Sequence, residues 1–299
     1  MKTDSLSEKM PPAGAVYAIG NFDGVHPGHR RLFDICRDIA EDKGCGVCAL
    51  TFCGLEKDGG RLISAADRDL FLREAGADYV LAVGFSEIKN LSPEEFTFGY
   101  LADRLSPSAV VCGEDFRFGK GAAGSVPIFR ELLGSRGVPL YVAETVMIDG
   151  TAVSTSRVKA ALAEGNAALA ARLLGRRYSF EYPVEEGKHL GRTIGAPTIN
   201  QRFPMGMFIP KFGVYAGDVF IDGTAYPCVT NIGTRPTVND GDTVTAESYI
   251  VGYEGNLYGR SVRVNLTEYL RGEIKFDSVD ALGEQIARDA ETAKKIFEE

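Results

Sequence analysis

The repeat of the chain changes near Tyr178, and that change limits the fold more than any other feature. Before it, short apolar runs at Ala15–Ile19, Val47–Phe52, Tyr79–Val83, Ala109–Cys112 and Leu140–Ala143 alternate with stretches of helical period. Arg30 to Ala40 is one such stretch, with Leu32, Phe33, Cys36, Ile39 and Ala40 on one face. Short apolar strands separated by helices predict a parallel sheet covered on both faces. Beyond Tyr178 glycines and prolines crowd in, and apolar residues alternate over Gly213–Ile221, Ala225–Ile232, Thr243–Val251 and Ser261–Leu266. Asp222-Gly223 is a hairpin turn between two of these runs. Helical spacing returns from Ser278 to Phe297 through Leu282, Ile286, Ala290, Ala293 and Ile296, which predicts a small β-barrel with a closing helix. A helix over Val158–Leu174 and the linker Gly175-Arg176-Arg177 then divide the chain into domains at 1–176 and 177–299.

Composition narrows the partners. A formal charge of −8 argues against a nucleic-acid surface, which is ordinarily basic. Six scattered cysteines read as reduced core residues, and the spacing Cys45-Gly46-Val47-Cys48 falls on a strand that points its two thiols to opposite faces. No apolar run approaches the ~20 residues needed to span a bilayer, and Met1–Pro12 is polar, unlike a signal peptide. The expectation is a cytoplasmic protein of class α/β with small-molecule partners, no nucleic acid and no membrane. Self-association is left open.

Gly20-Asn21-Phe22-Asp23-Gly24-Val25-His26-Pro27-Gly28-His29 joins the first strand to the first helix and holds two of the three histidines of the chain. A helix N-terminus presents free N–H groups and positive potential, so the turn predicts a phosphate site with both imidazoles aimed at it. The string resembles the G-x-F-D-x-x-H-x-G-H signature of the HxGH nucleotidyltransferases, and in full form that of the bacterial FAD synthetase family. The resemblance implies a Rossmann-like domain in which Gly20, Asn21, Phe22, Asp23, Gly24 and Gly28 bind ATP and His26 and His29 are catalytic.

Further segments match in order. Gly113-Glu114-Asp115-Phe116-Arg117-Phe118-Gly119 resembles the family's G-x-D-F-x-F-G loop, which implies that Asp115 lies at the nucleotide. Ser154-Thr155-Ser156-Arg157-Val158-Lys159 opens a helix whose hydroxyls can cap free N–H groups. Its counterpart in the family, S-S-T-x-I-R, holds ATP phosphates. Here Lys159 stands at the arginine, keeping the charge but not the bidentate fork, and Arg157 lies two positions earlier. Thr51-Phe52-Cys53-Gly54-Leu55-Glu56 lacks the Pro-His-Pro usual at that place.

Leu190-Gly191-Arg192-Thr193-Ile194-Gly195-Ala196-Pro197-Thr198-Ile199-Asn200 resembles the riboflavin kinase motif L-G-R-x-x-G-x-P-T-A-N. Thr198 and Asn200 then offer two neutral oxygens to Mg²⁺. Asn231-Ile232-Gly233-Thr234-Arg235-Pro236-Thr237 matches N-I-G-x-R-P-T, and Glu247 falls at the family's catalytic carboxylate. The resemblance also places Gly187, Gly191, Arg192, Gly195, Pro197, Asn231, Tyr258, Arg271 and Phe276 at ATP or flavin. In the family's G-x-V-x-x-G, Tyr182 replaces the first glycine.

Together the motifs resemble the prokaryotic bifunctional riboflavin kinase/FMN adenylyltransferases. This implies conversion of riboflavin to FMN in the second domain and of FMN to FAD in the first, each from ATP with Mg²⁺. Two alternatives stay open. One is a riboflavin kinase with an impaired, nucleotide-binding N-terminal domain, suggested by Lys159 and the missing Pro-His-Pro. The other is a flavin or nucleotide sensor without turnover, against which Glu247 and the Thr198/Asn200 pair stand.

Overall fold

A computed structural model describes residues 10–55, 59–187, 196–237 and 241–298. The chain packs as two compact units, one of Met1–Lys57 with Ser64–Thr155, the other of Asp58–Ile63 with Ser156–Glu299.

The first unit contains β1 (Val16–Ile19), α1 (Pro27–Lys43), β2 (Val47–Cys53), α2 (Ala65–Glu74) and β3 (Tyr79–Gly84). It continues with β4 (Ala109–Gly113), α3 (Val126–Ser135), β5 (Leu140–Ala143) and a small hairpin, β6 (Met147–Ile148) and β7 (Thr151–Ala152). The five long strands form one parallel sheet in the order β3-β2-β1-β4-β5. β1 is buried throughout and β2 nearly so, because both faces of a parallel sheet are covered. The order reverses direction between β1 and β4, and the crevice beyond the C-terminal ends of such a pair is where open α/β sheets bind ligands. The connection from β3 to β4 includes a ten-residue π-helix, Phe96–Leu105, a rare form that periodicity alone does not announce.

The chain then runs through α4 (Thr155–Ala163), which belongs to the second unit from Ser156 on, and α5 (Ala167–Leu174). Where a single helix over Val158–Leu174 is expected, Gly165 takes a left-handed φ of 82° and Asn166 caps a new helix by accepting from Leu169 N–H at 2.9 Å. Then follow β8 (Tyr178–Glu185), β9 (Thr198–Arg202), β10 (Gly213–Ile221), β11 (Thr224–Thr237), β12 (Gly241–Ile250), β13 (Ser261–Arg271) and α6 (Val279–Glu298). The strands close an antiparallel barrel in the order β10-β11-β12-β9-β8-β13. The expected strands account for β10 to β13. Of the other two staves, β8 alternates Tyr178, Phe180, Tyr182 and Val184 inward, whereas β9 escapes the apolar pattern because it reads Thr-Ile-Asn-Gln-Arg. Its Gln201 is nevertheless fully buried, donating from Nε2 to the carbonyls of Tyr182 (2.6 Å) and Val262 (2.7 Å).

The α6 helix lays Ala290 and Ala293 on the outer apolar face made by Val214, Ala216, Val229 and Val251. Asp289, one residue before that seam, forms an ion pair with Arg271 at the end of β13: Nη2 lies 2.7 Å and Nε 3.1 Å from Oδ2. Among the described residues no helix is long and apolar enough to cross a membrane.

Candidate active sites

The turn after β1 is shaped by backbone that most residues avoid. Phe22 and Val25 hold φ of 52° and 40°, and both are fully buried, so packing sustains the strain. The Phe22 ring meets His29 edge-on at 5.2 Å and Phe33 at 5.3 Å, which anchors the turn to α1. His26 is the N-cap of α1, and its Nδ1 accepts from the His29 N–H at 3.3 Å. That acceptor role leaves the proton of the neutral imidazole on Nε2, so the far side of the ring is a donor. The His26 and His29 rings stack at 3.7 Å between centroids. Gly28 leaves room for this stack, because a Cβ there would stand a tight 3.1 Å from the His26 ring.

Two distant segments meet the turn. Thr155 Oγ1 donates to the Asp23 carbonyl at 2.7 Å, joining the Ser-Thr-Ser segment to the histidine turn. Thr51 Oγ1 donates to the Asn21 carbonyl at 3.1 Å. Ser154 and Arg157 are half-buried and Ser156 is exposed. Lys159 turns to its own unit: its Nζ donates to the Gly60 carbonyl and lies 5.9 Å over the Phe208 ring. Asp115 is exposed on the loop after β4, and Phe116 and Phe118 root that loop on Phe129 at 5.5 and 4.5 Å.

The second site is laid out by strand register. Asn231 on β11 lies directly opposite Glu247 on β12, and Glu247 directly opposite Asn200 on β9. Residues opposed in an antiparallel ladder share a face. The next row, Ile232, Ala246 and Gln201, is fully buried, so alternation turns the Asn231–Glu247–Asn200 row to the outside of the barrel. Thr198, two residues before Asn200, belongs to the same face and lies opposite Tyr249. A Cβ at Gly187 would collide with the Asn200 carboxamide, which accounts for a glycine there. Pro197 is exposed just before β9.

Other predicted residues separate. Tyr258 is half-buried in the β12–β13 connection, its N–H donating to Asn256 Oδ1 at 3.0 Å. Arg271 is drawn into the ion pair with Asp289, with its guanidinium 5.9 Å from the half-buried Phe276 ring. Its Nε and Nη2 therefore serve the closing helix. Gly191, Arg192 and Gly195 lie outside the described residues.

Both halves match known families. A model described as FAD synthetase matches residues 8–157, and one described as riboflavin kinase matches 174–297. A protein of Escherichia coli (strain K12) named bifunctional riboflavin kinase/FMN adenylyltransferase is 36% identical over 297 residues, covering 96% of this chain and 94% of the relative. A Bacillus subtilis (strain 168) protein of the same name is 31% identical over 300 residues, covering 97% and 94%. The chain belongs to the bifunctional riboflavin kinase/FMN adenylyltransferase family. A crystal structure described as a macrolide-efflux protein from Streptococcus pneumoniae shares the fold of this family member, with TM-score 0.83 and 27% identity over 97% of this chain and 96% of that one.

Two further groups stand beside these sites. Arg68 on α2 is buried, and its Nη1 donates to the Phe52 carbonyl at 2.9 Å and the Asn21 carbonyl at 3.4 Å. It places a permanent positive charge beneath the histidine turn. Glu273, after β13, brings its Oε1 to 3.3 Å from Asn231 Nδ2. A buried arginine in a helical pattern carries no signal of its own, whereas Glu273 falls at the glutamate of the family's I-R-x-E-x-K-F, matched here by Leu270-Arg271-Gly272-Glu273-Ile274-Lys275-Phe276.

Proposed function

We propose that the chain makes FMN and then FAD, phosphorylating riboflavin on the barrel and adenylylating FMN at the histidine turn, with the activities divided between residues 1–176 and 177–299. One observation carries the reading: each compact unit holds its own set of groups suited to phosphate chemistry. In the barrel, Glu247 accepts the proton of the riboflavin 5′-hydroxyl as that oxygen attacks the γ-phosphorus of ATP and ADP departs. In the first unit, a phosphate oxygen of FMN attacks the α-phosphorus in line, and pyrophosphate leaves. There the His26 Nε2–H and the α1 N-terminus oppose the charge that develops on the phosphate oxygens. Arg68 adds to that potential and holds the Asn21 peptide in place, while Thr155 holds Asp23.

Thr198 and Asn200 offer hard oxygens from one face of β9, a donor set that fits Mg²⁺. When bound, the ion supplies positive charge against the ATP phosphates. ATP, riboflavin, FMN and FAD are the small molecules handled, and the cytoplasm is the compartment that supplies ATP.

The kinase-only alternative draws on Lys159, whose ammonium is bound to Gly60. Incubation with riboflavin, ATP and Mg²⁺ followed by chromatography of the flavins separates the readings. FAD supports two activities, FMN alone supports the kinase, and unchanged riboflavin refutes both.

A further inference from the structure

The Asn231 carboxamide sits in the row that holds Glu247, and its orientation is set by chemistry. A carboxylate only accepts, so the contact with Glu273 Oε1 at 3.3 Å must come from the Nδ2 end. The opposite end, Oδ1, is buried and has no hydrogen-bond partner among the described residues. A buried carbonyl oxygen left without a donor loses its hydration and gains nothing in return. The place of Glu273 is also prepared on the strand: a Cβ at Gly233, two residues from Asn231, would collide with the Glu273 carboxylate. Gly233 has no left-handed φ, so this is a demand for space alone.

We propose that Glu273 is a positioning residue for riboflavin, turning Asn231 so that Oδ1 accepts a hydrogen bond from a hydroxyl of the polyol chain beside Glu247. The ligand class follows from Oδ1 being an acceptor. The ATP phosphates present acceptors of their own and would be repelled by it, whereas the substrate that surrenders a proton to Glu247 is a polyol. Asn231 and Glu247 are direct cross-strand partners, whose Cβ atoms are ordinarily about 5 Å apart, so one hydroxylated chain spans both. The inference rests on the barrel being the riboflavin kinase.

The test uses the full chain and follows riboflavin phosphorylation, with FAD formation from supplied FMN as a control for an intact fold. Glu273 is exposed, so its replacement spares the core. Glu273→Ala is expected to raise the KM for riboflavin about tenfold, the scale of one lost hydrogen bond, and to leave the KM for ATP unchanged. Glu273→Gln is expected to restore the native KM, because the amide oxygen accepts the same bond without charge. Asn231→Ala is expected to match Glu273→Ala, and the double variant to be no worse than either alone. Gly233→Ala, which displaces the carboxylate without removing it, should reproduce the loss. An unchanged riboflavin KM in Glu273→Ala, an equal rise in both KM values, or additive losses in the double variant would each overturn the proposal. If the native chain makes no FMN, it is the assignment of the barrel as a kinase that falls instead.

Discussion

The two sites are built by different devices. The first is a contiguous turn whose strained backbone, stacked rings and helix cap all lie between Gly20 and His29. The second is a transverse row across three strands, in which Asn200, Glu247 and Asn231 become neighbours only through register. A turn stores its geometry locally and borrows support from below, here from Arg68, Thr51 and Thr155. A row stores its geometry in the ladder, and a slip of one residue would turn every member inward.

The difference can be tested by selective damage. His29→Ala should cut FAD formation from FMN by roughly 10²–10³-fold, the effect of losing a charge-stabilising donor, and leave FMN formation intact. Glu247→Gln should do the reverse. Loss of both activities in either variant, with riboflavin supplied for one assay and FMN for the other and the flavins read by chromatography, would show that the sites are not separable.

Next in size is support from beneath. Arg68→Met removes the guanidinium donor of the buried Phe52 carbonyl and leaves the Asn21 carbonyl to Thr51 Oγ1, a cost of about 1–3 kcal/mol. FAD formation should fall more than FMN formation, with a lower melting temperature for the first unit. Equal rates for both reactions would mean that the turn holds itself.

The barrel's corresponding support is the tie between Arg271 and Asp289. Asp289→Ala strands a largely buried guanidinium and should cost about 3 kcal/mol, measured by denaturant unfolding. The loss should fall on FMN formation, since α6 covers the outer face of β10 and β11. A variant as stable as the native chain would make the pair incidental.

The smallest contrast is in alkali. Burial pushes the thiols of Cys48 and Cys112 in the first unit, and Cys228 in the barrel, from 9.0 to about 12, and raises Cys36 of the first unit as well. Their stabilising contribution is full below 9 and is lost as pH rises from 9 toward 12, because the unfolded thiols ionise first. With three such thiols against one, the first unit should soften earlier in an alkaline titration followed by circular dichroism. Simultaneous loss of both units would contradict this.

How much of this could be read from the sequence follows the same divide. The turn was legible because its chemistry is contiguous, and helical period and strand runs placed it. Glu247 and Asn231 were legible through resemblance alone, since nothing in a strand glutamate announces which asparagine faces it across the ladder. β9 shows no apolar strand pattern because its buried residues are Asn200 and Gln201, and the backbone carbonyls that accept from Gln201 Nε2 are not visible in the sequence. Arg68 acts through a contact with a residue 47 positions away, beyond any local pattern, and Glu273 sits in a matched motif that does not show its partner 42 positions away. Arg271 matched its motif, yet the guanidinium faces a carboxylate 18 residues later.

The bond from Thr155 to Asp23 spans 132 positions of the chain. During translation the histidine turn therefore emerges early and waits, without its contact with Thr155, until nearly the entire first unit has left the ribosome. Contacts of such long range form late and slowly in folding. A nascent chain stalled before Thr155 would carry the sheet but an unfastened turn, so nucleotide retention by stalled chains of graded length should rise abruptly once that threonine is free.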